Sequence, residues 1–113
     1  MTRVRYDREE PRLELEGHAL AGPRGGDPVC AALSMLSMTI ERRMMERAER
    51  MLPAVSRAPG RFRITCRPES GFEEACRESF DTVYAGLALL AEERPDCVYI
   101  CPGEGQAGEE SLP

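Results

Sequence analysis

The sequence predicts an α+β domain, a two-layer sandwich in which two helices pack on one face of a four-stranded, mainly antiparallel or mixed sheet. Two kinds of pattern favour this fold. Short segments alternate apolar and polar residues, and two longer segments repeat apolar residues every three or four positions. Their order is strand, strand, helix, strand, helix, strand, and helices on one face of the sheet are the economical arrangement for it. The chain of 113 residues is long enough for a single core.

The predicted strands are short, and they are found at residues 3–6, 12–16, 61–66 and 97–101. The first two surround a polar turn at 7–11 and predict a hairpin with one buried face. The third alternates in the same way, and the fourth is more continuously apolar. On the solvent face, arginines of the first and third strands are expected beside glutamates of the second.

The first helix is expected to begin at Asp27, because Asp is a good N-cap and Pro28 then takes the first helical position. Apolar residues at helical spacing continue as far as Met51 and form one stripe. Three methionines widen this stripe sideways, namely Met35, Met38 and Met45. They are interpreted as core or dimer contacts, with a partner-binding surface as the alternative.

A capping-box pattern at residues 70–73, Ser-Gly-Phe-Glu, predicts that the second helix starts after Ser70. Pro95 ends this helix. Residues 52–60 contain two prolines and a glycine and are interpreted as a connector. We assign residues 1–101 to one domain and expect residues 102–113 to form a disordered acidic tail.

Composition excludes several classes of function. The formal net charge of −5 argues against direct nucleic-acid binding, which needs a basic surface. No apolar stretch is long enough to span a membrane, and we expect a cytoplasmic protein without a signal peptide. The five cysteines are widely spaced and form no Cys-x-x-Cys pair, so neither a disulfide framework nor a metal site is expected, and no cofactor is implied.

The candidate chemistry involves the single histidine, His18, and a cysteine twelve residues later, Cys30. A strand end, a glycine-rich loop and a helix N-terminus can bring this imidazole to this thiol, which is the minimum apparatus of a cysteine protease. Unpaired N–H groups in the first turn of the helix favour a thiolate and could also bind an oxyanion. Asp27 is a candidate for orienting the imidazole, or it acts only as the N-cap.

The residues alone leave a structural interpretation open. Cys30 has Val29 and Leu33 as neighbours on the apolar stripe, so it could be a buried core residue. His18 could then be an ordinary surface histidine. One histidine and one cysteine at this separation do not by themselves decide between catalysis and structure.

The residues around this pair form a longer motif. It reads Gly-His-Ala at 17–19, Gly-Gly-Asp at 25–27 and Val-Cys-Ala-Ala at 29–32, with Ser34 after it. The motif closely resembles that of the ribosomal-processing cysteine proteases, with matching spacing throughout. The resemblance implies a homodimeric bacterial endopeptidase that removes an N-terminal extension from large-subunit ribosomal protein twenty-seven. It also implies that Cys30 is the nucleophile and His18 the proton donor and acceptor.

The resemblance further implies an apolar peptide groove beside the cysteine. We expect substrate contacts from Leu20, Gly22, Gly25, Gly26 and Leu33, with the flank 35–38 as further lining. The glycines would let the loop swing over bound peptide, although an ordinary surface loop explains them equally well. Pro23 and Pro28 depart from the family pattern, and these departures bear on loop motion and substrate fit.

The sequence leads to three functional hypotheses, which can be ranked. The leading hypothesis is a cysteine endopeptidase acting on a ribosomal protein precursor, with no nucleic acid or membrane as direct partner. The alternative is a non-enzymatic, ribosome-associated binding module on the same scaffold. A thiol redox protein ranks third, because no resolving cysteine lies near Cys30 in the sequence.

Overall fold

A computed structural model describes residues 1–17 and 26–102 of the chain. In chain order the elements are β1 (Thr2–Asp7), β2 (Arg12–Glu16), α1 (Pro28–Glu46), α2 (Ala48–Met51), β3 (Ala54–Ala58), β4 (Arg61–Thr65), α3 (Glu73–Glu93) and β5 (Val98–Ile100). The α+β class is confirmed, and the predicted strands and long helices are present. Of the tail expected at 102–113, Pro102 is described and exposed, and residues 103–113 lie outside the described residues. No helix within the described ranges is both long and apolar enough to cross a membrane.

The described strands form one mixed sheet in the order β3-β4-β2-β1-β5. Neighbours are antiparallel except for β1 and β5, which run parallel with Thr2 opposite Val98. The sheet has five strands, so the prediction of four was wrong. The additional strand, β3, lies at an edge within the segment expected to be a connector. Its residues are almost all exposed, so it has no buried face to give it an alternating pattern.

One face of the sheet carries the core. Alternate residues of the strands point inward and pack against α1 and α3, as the sandwich prediction requires. This buried cluster includes Val4, Leu13, Leu15, Phe62 and Ile64 from the strands, Ile40 and Met44 from α1, and Phe80 and Leu87 from α3.

The opposite face of the sheet is charged. Arg5, Glu14 and Arg63 lie side by side in the registers of β1, β2 and β4. In the next row Glu16 lies between two arginines; it accepts a hydrogen bond from Arg3 at 3.2 Å and forms an ion pair with Arg61 at 3.3 Å. The predicted cross-strand pairing of arginines with glutamates is therefore confirmed, at about 0.2–1 kcal/mol for each pair.

The helix boundaries agree with the sequence patterns only in part. α1 begins as predicted, with Asp27 as N-cap and Pro28 in the first turn. It ends at Glu46, because Arg47 leaves helical geometry (φ −123°, ψ 34°), and the short helix α2 then carries Met51 into the core. The first helix is therefore divided in two.

The second long helix, α3, starts at Glu73 and not directly after Ser70. The Glu73 carboxylate accepts a hydrogen bond from the backbone N–H of Gly71 at 2.8 Å, whereas the predicted capping box would use the N–H of Ser70. Backbone hydrogen bonds, from Glu73 itself and from Gly71, lower the pKa of this carboxyl below its ordinary value. The N-cap position is occupied by Phe72, which gives no side-chain hydrogen bond.

The tip of the β1–β2 hairpin is anchored on α3 by Tyr6. Its hydroxyl donates to Asp81 Oδ1 at 2.6 Å, and Arg8 donates to the other oxygen of the same carboxylate at 2.8 Å. The Tyr6 ring also lies 4.7 Å from that of Tyr84. Burial, followed by the bond to Asp81, raises the pKa of Tyr6, so the phenol stays protonated and donates.

Candidate active site

Cys30 is the third residue of α1 and lies in the first turn of this helix. Asp27 Oδ1 accepts hydrogen bonds from the backbone N–H groups of Val29 at 2.9 Å and Cys30 at 3.1 Å. The N–H of Ala31 donates to the carbonyl of Asp27 at 3.1 Å, and Pro28 has no N–H. The backbone N–H groups of Val29, Cys30 and Ala31 in the first turn therefore all have hydrogen-bond partners.

This arrangement corrects one expectation. Unpaired amides at the start of α1 were expected to stabilise a thiolate and to bind an oxyanion, but Asp27 already accepts from those of Val29 and Cys30. The assignment of Asp27 as helix N-cap is confirmed. Its assignment as orienter of the imidazole stays a prediction. Four of the predicted site residues lie outside the described residues, namely His18, Leu20, Gly22 and Gly25.

A cleft of about 520 Å³ opens beside Cys30. One wall is formed by a face of α1 that presents Cys30, Leu33, Ser34 and Ser37. The other wall is the β3–β4 hairpin, residues 57–62, and Thr2, Leu15 and Gly17 complete the lining. Leu33 thus lines the cleft as predicted, while Gly26 is exposed just before the N-cap.

The methionine flank does not line this cleft. Met35 and Met38 belong to a separate surface hollow of about 780 Å³, together with Met45. The cleft residues of α1 repeat at i, i+4 and i+7 from Cys30, whereas the methionines repeat on another side of the same helix. All three methionines are more than half exposed, so a place in the core is wrong for them. Of the flank 35–38 that was predicted to line the groove, Ser37 does so and the methionines do not.

Gly17 is held firmly at the edge of the cleft. Its φ of +104° is one that residues with a side chain rarely adopt, and a Cβ at this position would overlap the carbonyl oxygen of Met1. Its N–H donates to the carbonyl of Gly60 at 2.8 Å, and its carbonyl accepts from the hydroxyl of Thr2 at 3.2 Å. Gly17, the residue before His18, is therefore held by two hydrogen bonds and by the lack of space for a side chain. It lines the same cleft as Cys30.

Cys30 differs from the other cysteines in its exposure. All five are free thiols, and Cys30 is the half-buried one, whereas Cys66, Cys76, Cys97 and Cys101 are buried. A hydrogen bond with Cys76, together with burial, raises the pKa of the Cys66 thiol. Burial likewise raises the pKa of Cys97, with Asp96 adding to the effect. The accessible nucleophile among the five is therefore Cys30.

The described part of the cleft lining carries two arginines and no carboxylate. The Arg57 guanidinium lies 4.5 Å from the centre of the Phe62 ring and donates to Glu41 at 2.8 Å, outside the cleft. Arg61 forms an ion pair with Glu16. Leu33 and Phe62 are thus bordered by two guanidinium groups on the cleft. Among residues 1–17 and 26–102, no group of metal-ligating side chains is assembled.

No sequence pattern predicts the wall opposite Cys30. Arg57, Gly60 and Arg61 belong to a hairpin whose first strand, β3, was interpreted as part of a connector. Thr2 was likewise overlooked, because a single threonine at the start of a strand has no pattern of its own. The Gly17 position was part of the motif, and a requirement for positive φ is the signal that could have marked its role.

Comparison with known proteins gives a family and a fold for the chain. A family model described as cysteine protease Prp matches residues 1–99. The fold is similar to the crystal structure of an essential ribosomal processing protease Prp from S. aureus in complex with a covalently linked product peptide (TM-score 0.72, 19% identity, 88% of this chain and 94% of that chain covered). A second structure of the S. aureus protein, with a substrate peptide, gives a TM-score of 0.66 at 18% identity, covering 88% of this chain and 95% of that chain. SMU.848 from Streptococcus mutans is also similar (TM-score 0.62, 25% identity, 88% and 89% covered). No curated protein matches the chain.

Proposed function

The chain belongs to the cysteine protease Prp family, and we propose that this protease removes the N-terminal extension of a large-subunit ribosomal protein precursor during ribosome maturation. The S. aureus relative, a ribosomal processing protease seen with a substrate peptide, supports this class of substrate. The observation that carries the proposal is that Cys30 and Gly17, the residue before His18, line the same cleft. We place the reaction in the bacterial cytoplasm, where ribosomal precursors are made.

In the proposed mechanism His18 takes the proton of the Cys30 thiol, and the sulfur attacks the carbonyl carbon of the scissile peptide bond. The tetrahedral intermediate collapses as the C–N bond breaks, and the imidazolium gives its proton to the leaving amine. Water, activated by His18, then hydrolyses the thioester and regenerates the thiol. Because Asp27 occupies the N–H groups of Val29 and Cys30, the oxyanion is stabilised by donors elsewhere in the cleft.

The peptide is held between α1 and the β3–β4 hairpin. Leu33 and Phe62 supply the apolar surface for side chains of the substrate, and Arg57 and Arg61 supply donors at the border. Further substrate contacts are proposed for the loop that joins Gly17 to α1, from Leu20, Gly22, Gly25 and Gly26. Family membership favours this protease over a binding module that keeps the cysteine for structure.

Incubation with the N-terminally extended precursor of ribosomal protein twenty-seven, followed by intact mass measurement, tests the function. We expect loss of one defined N-terminal peptide with the wild-type protein and none with Cys30→Ala or His18→Ala. Cys101→Ala is the matched control, because it removes a buried thiol directly after β5 and does not alter the lining of the cleft. A precursor that stays intact with folded wild-type protein would contradict the proposal.

The exposed methionines of α1 are proposed as the contact between two copies of the chain. Met35, Met38 and Met45 form an apolar surface on one side of the helix, bordered by charged residues. The homodimer implied by the family resemblance needs such a self-complementary patch. Met38→Glu should convert the dimer into a monomer in sedimentation equilibrium, whereas Leu89→Glu, at an equally exposed position on α3, should not. A wild-type monomer at high concentration would contradict this assignment.

A further inference from the structure

Thr2 is a buried threonine at the wall of the cleft that contains Cys30. Its side chain is 3% exposed, and its hydroxyl donates to the carbonyl oxygen of Gly17 at 3.2 Å. Its backbone N–H donates to the carbonyl of Cys97 at 2.8 Å, and it pairs with Val98 of β5. The backbone of Thr2 is therefore fixed by the sheet, independently of its hydroxyl.

The partner of that hydroxyl is the peptide group that leads into His18. Gly17 is fixed at its N–H by Gly60 and cannot carry a side chain. Because a peptide group is planar, the orientation of the Gly17 carbonyl also fixes the direction of the bond to the nitrogen of residue 18. Among the side chains of the described residues, only Thr2 donates to this carbonyl.

We infer that Thr2 is a positioning residue for His18. Its hydroxyl holds the carbonyl of the peptide group that joins Gly17 to His18, and it thereby restricts the backbone at the entry to the proposed acid and base. The inference rests on the proposed roles of His18 and Cys30. Thr2 contributes no atom to the reaction, and the strand pairing of β1 with β2 and β5 does not require its hydroxyl.

Three variants separate positioning from simple support of the fold. Thr2→Val removes the hydroxyl at nearly constant shape, and Thr2→Ser keeps it while removing a methyl group. Thr82→Val is the matched control, because the Thr82 hydroxyl also donates to a backbone carbonyl, that of Glu78 at 2.9 Å, on an exposed part of α3. For Thr2→Val we expect kcat on the precursor to fall by about 10- to 100-fold with little change in KM. Thr2→Ser and Thr82→Val should stay close to wild type.

A second readout needs no substrate. The chain has a single histidine, so the NMR titration of the imidazole reports on one group. The proposed mechanism requires the two side chains to interact, so Cys30→Ser should shift the titration midpoint of His18 in the wild-type background and should have no effect in the Thr2→Val background. Thr2→Ser should restore the shift. If Thr2→Val does not fold, Thr2→Ala serves in its place.

The inference is overturned if a folded Thr2→Val variant keeps the wild-type kcat and the response of His18 to Cys30→Ser. It is also overturned if that variant loses only thermal stability, because that result would make Thr2 a structural residue. Failure of the proposed function gives a different result. In that case the wild-type protein leaves the precursor intact, while the histidine titration still responds to Thr2 as expected.

Discussion

Replacing Asp27 tests how the start of α1 is built. Asp27→Ala removes the acceptor of two hydrogen bonds, from the N–H groups of Val29 at 2.9 Å and Cys30 at 3.1 Å. Loss of an N-cap costs about 1–2 kcal/mol. The unfolding entropy of a chain of 113 residues is about 0.24 kcal/mol/K, so Tm should fall by about 4–8 °C. Asp27→Asn keeps both acceptor bonds and loses only the charge near the helix dipole, which is worth about 0.3–1 kcal/mol.

Thermal unfolding followed by circular dichroism measures this difference. The expected order of Tm is wild type, then Asp27→Asn, then Asp27→Ala. The cap role also predicts that Asp27→Asn keeps most of the cleavage activity, because the amide oxygen still holds the turn that carries Cys30. An alanine variant with the Tm of wild type, or an asparagine variant that falls as far as alanine, would refute the reasoning about the cap. Loss of activity in a stable Asp27→Asn variant would instead show that the charge acts on the imidazole.

Three further predictions concern other parts of the molecule. Gly17→Ala should lower the free energy of unfolding in urea by at least about 1–2 kcal/mol, because the left-handed backbone and the nearby carbonyl oxygen both oppose a side chain; an unchanged midpoint would contradict this. Tyr6→Phe should lose about 1.5–3 kcal/mol in the same measurement, since the phenol donates to the charged Asp81. Arg94 lowers the pKa of Asp96 to about 2 from an ordinary 3.8, so this carboxylate stabilises the fold above pH 3.8 and ceases to do so as pH falls toward 2. Asp96→Asn should therefore lower Tm at pH 7 and have no effect near pH 2.

The long, strongly patterned elements could be predicted from the sequence because one local rule determines each. An Asp followed by Pro marks the start of α1, and the apolar repeat behind it marks the face that packs on the sheet. The alternating strands β1, β2 and β4 are buried on one side only, so their period of two is visible in the sequence. For these elements local propensity and tertiary burial agree.

The elements that escaped prediction depend on their surroundings. β3 is a short edge strand with almost every residue exposed, and it exists because β4 offers it a pairing partner. The break at Arg47 has no Pro or Gly to signal it. α3 starts at Glu73 and not directly after Ser70, since the N-cap is Phe72 and the Glu73 carboxylate accepts from Gly71.

The candidate site, like the fold, could be predicted from the sequence only in part. The motif identified Cys30 and Asp27 as neighbours at a helix start, because helical spacing fixes their relation. The opposite wall comes from residues 57–62, and no local pattern connects that hairpin to a cysteine about thirty residues earlier. The sequence predicted Asp27 as the N-cap but not the effect of that cap on the site. Its carboxylate accepts from the backbone N–H groups that would otherwise be available to an oxyanion.

The parallel pairing of β1 with β5 has a consequence for the order of folding. Thr2 donates its backbone N–H to the carbonyl of Cys97, so a strand near one end of the domain pairs with a strand near the other. This pairing closes a long loop of chain, and contacts of such large sequence separation are slow to form. Because Thr2 also lines the cleft that contains Cys30, the cleft is expected to be completed only at a late stage of folding.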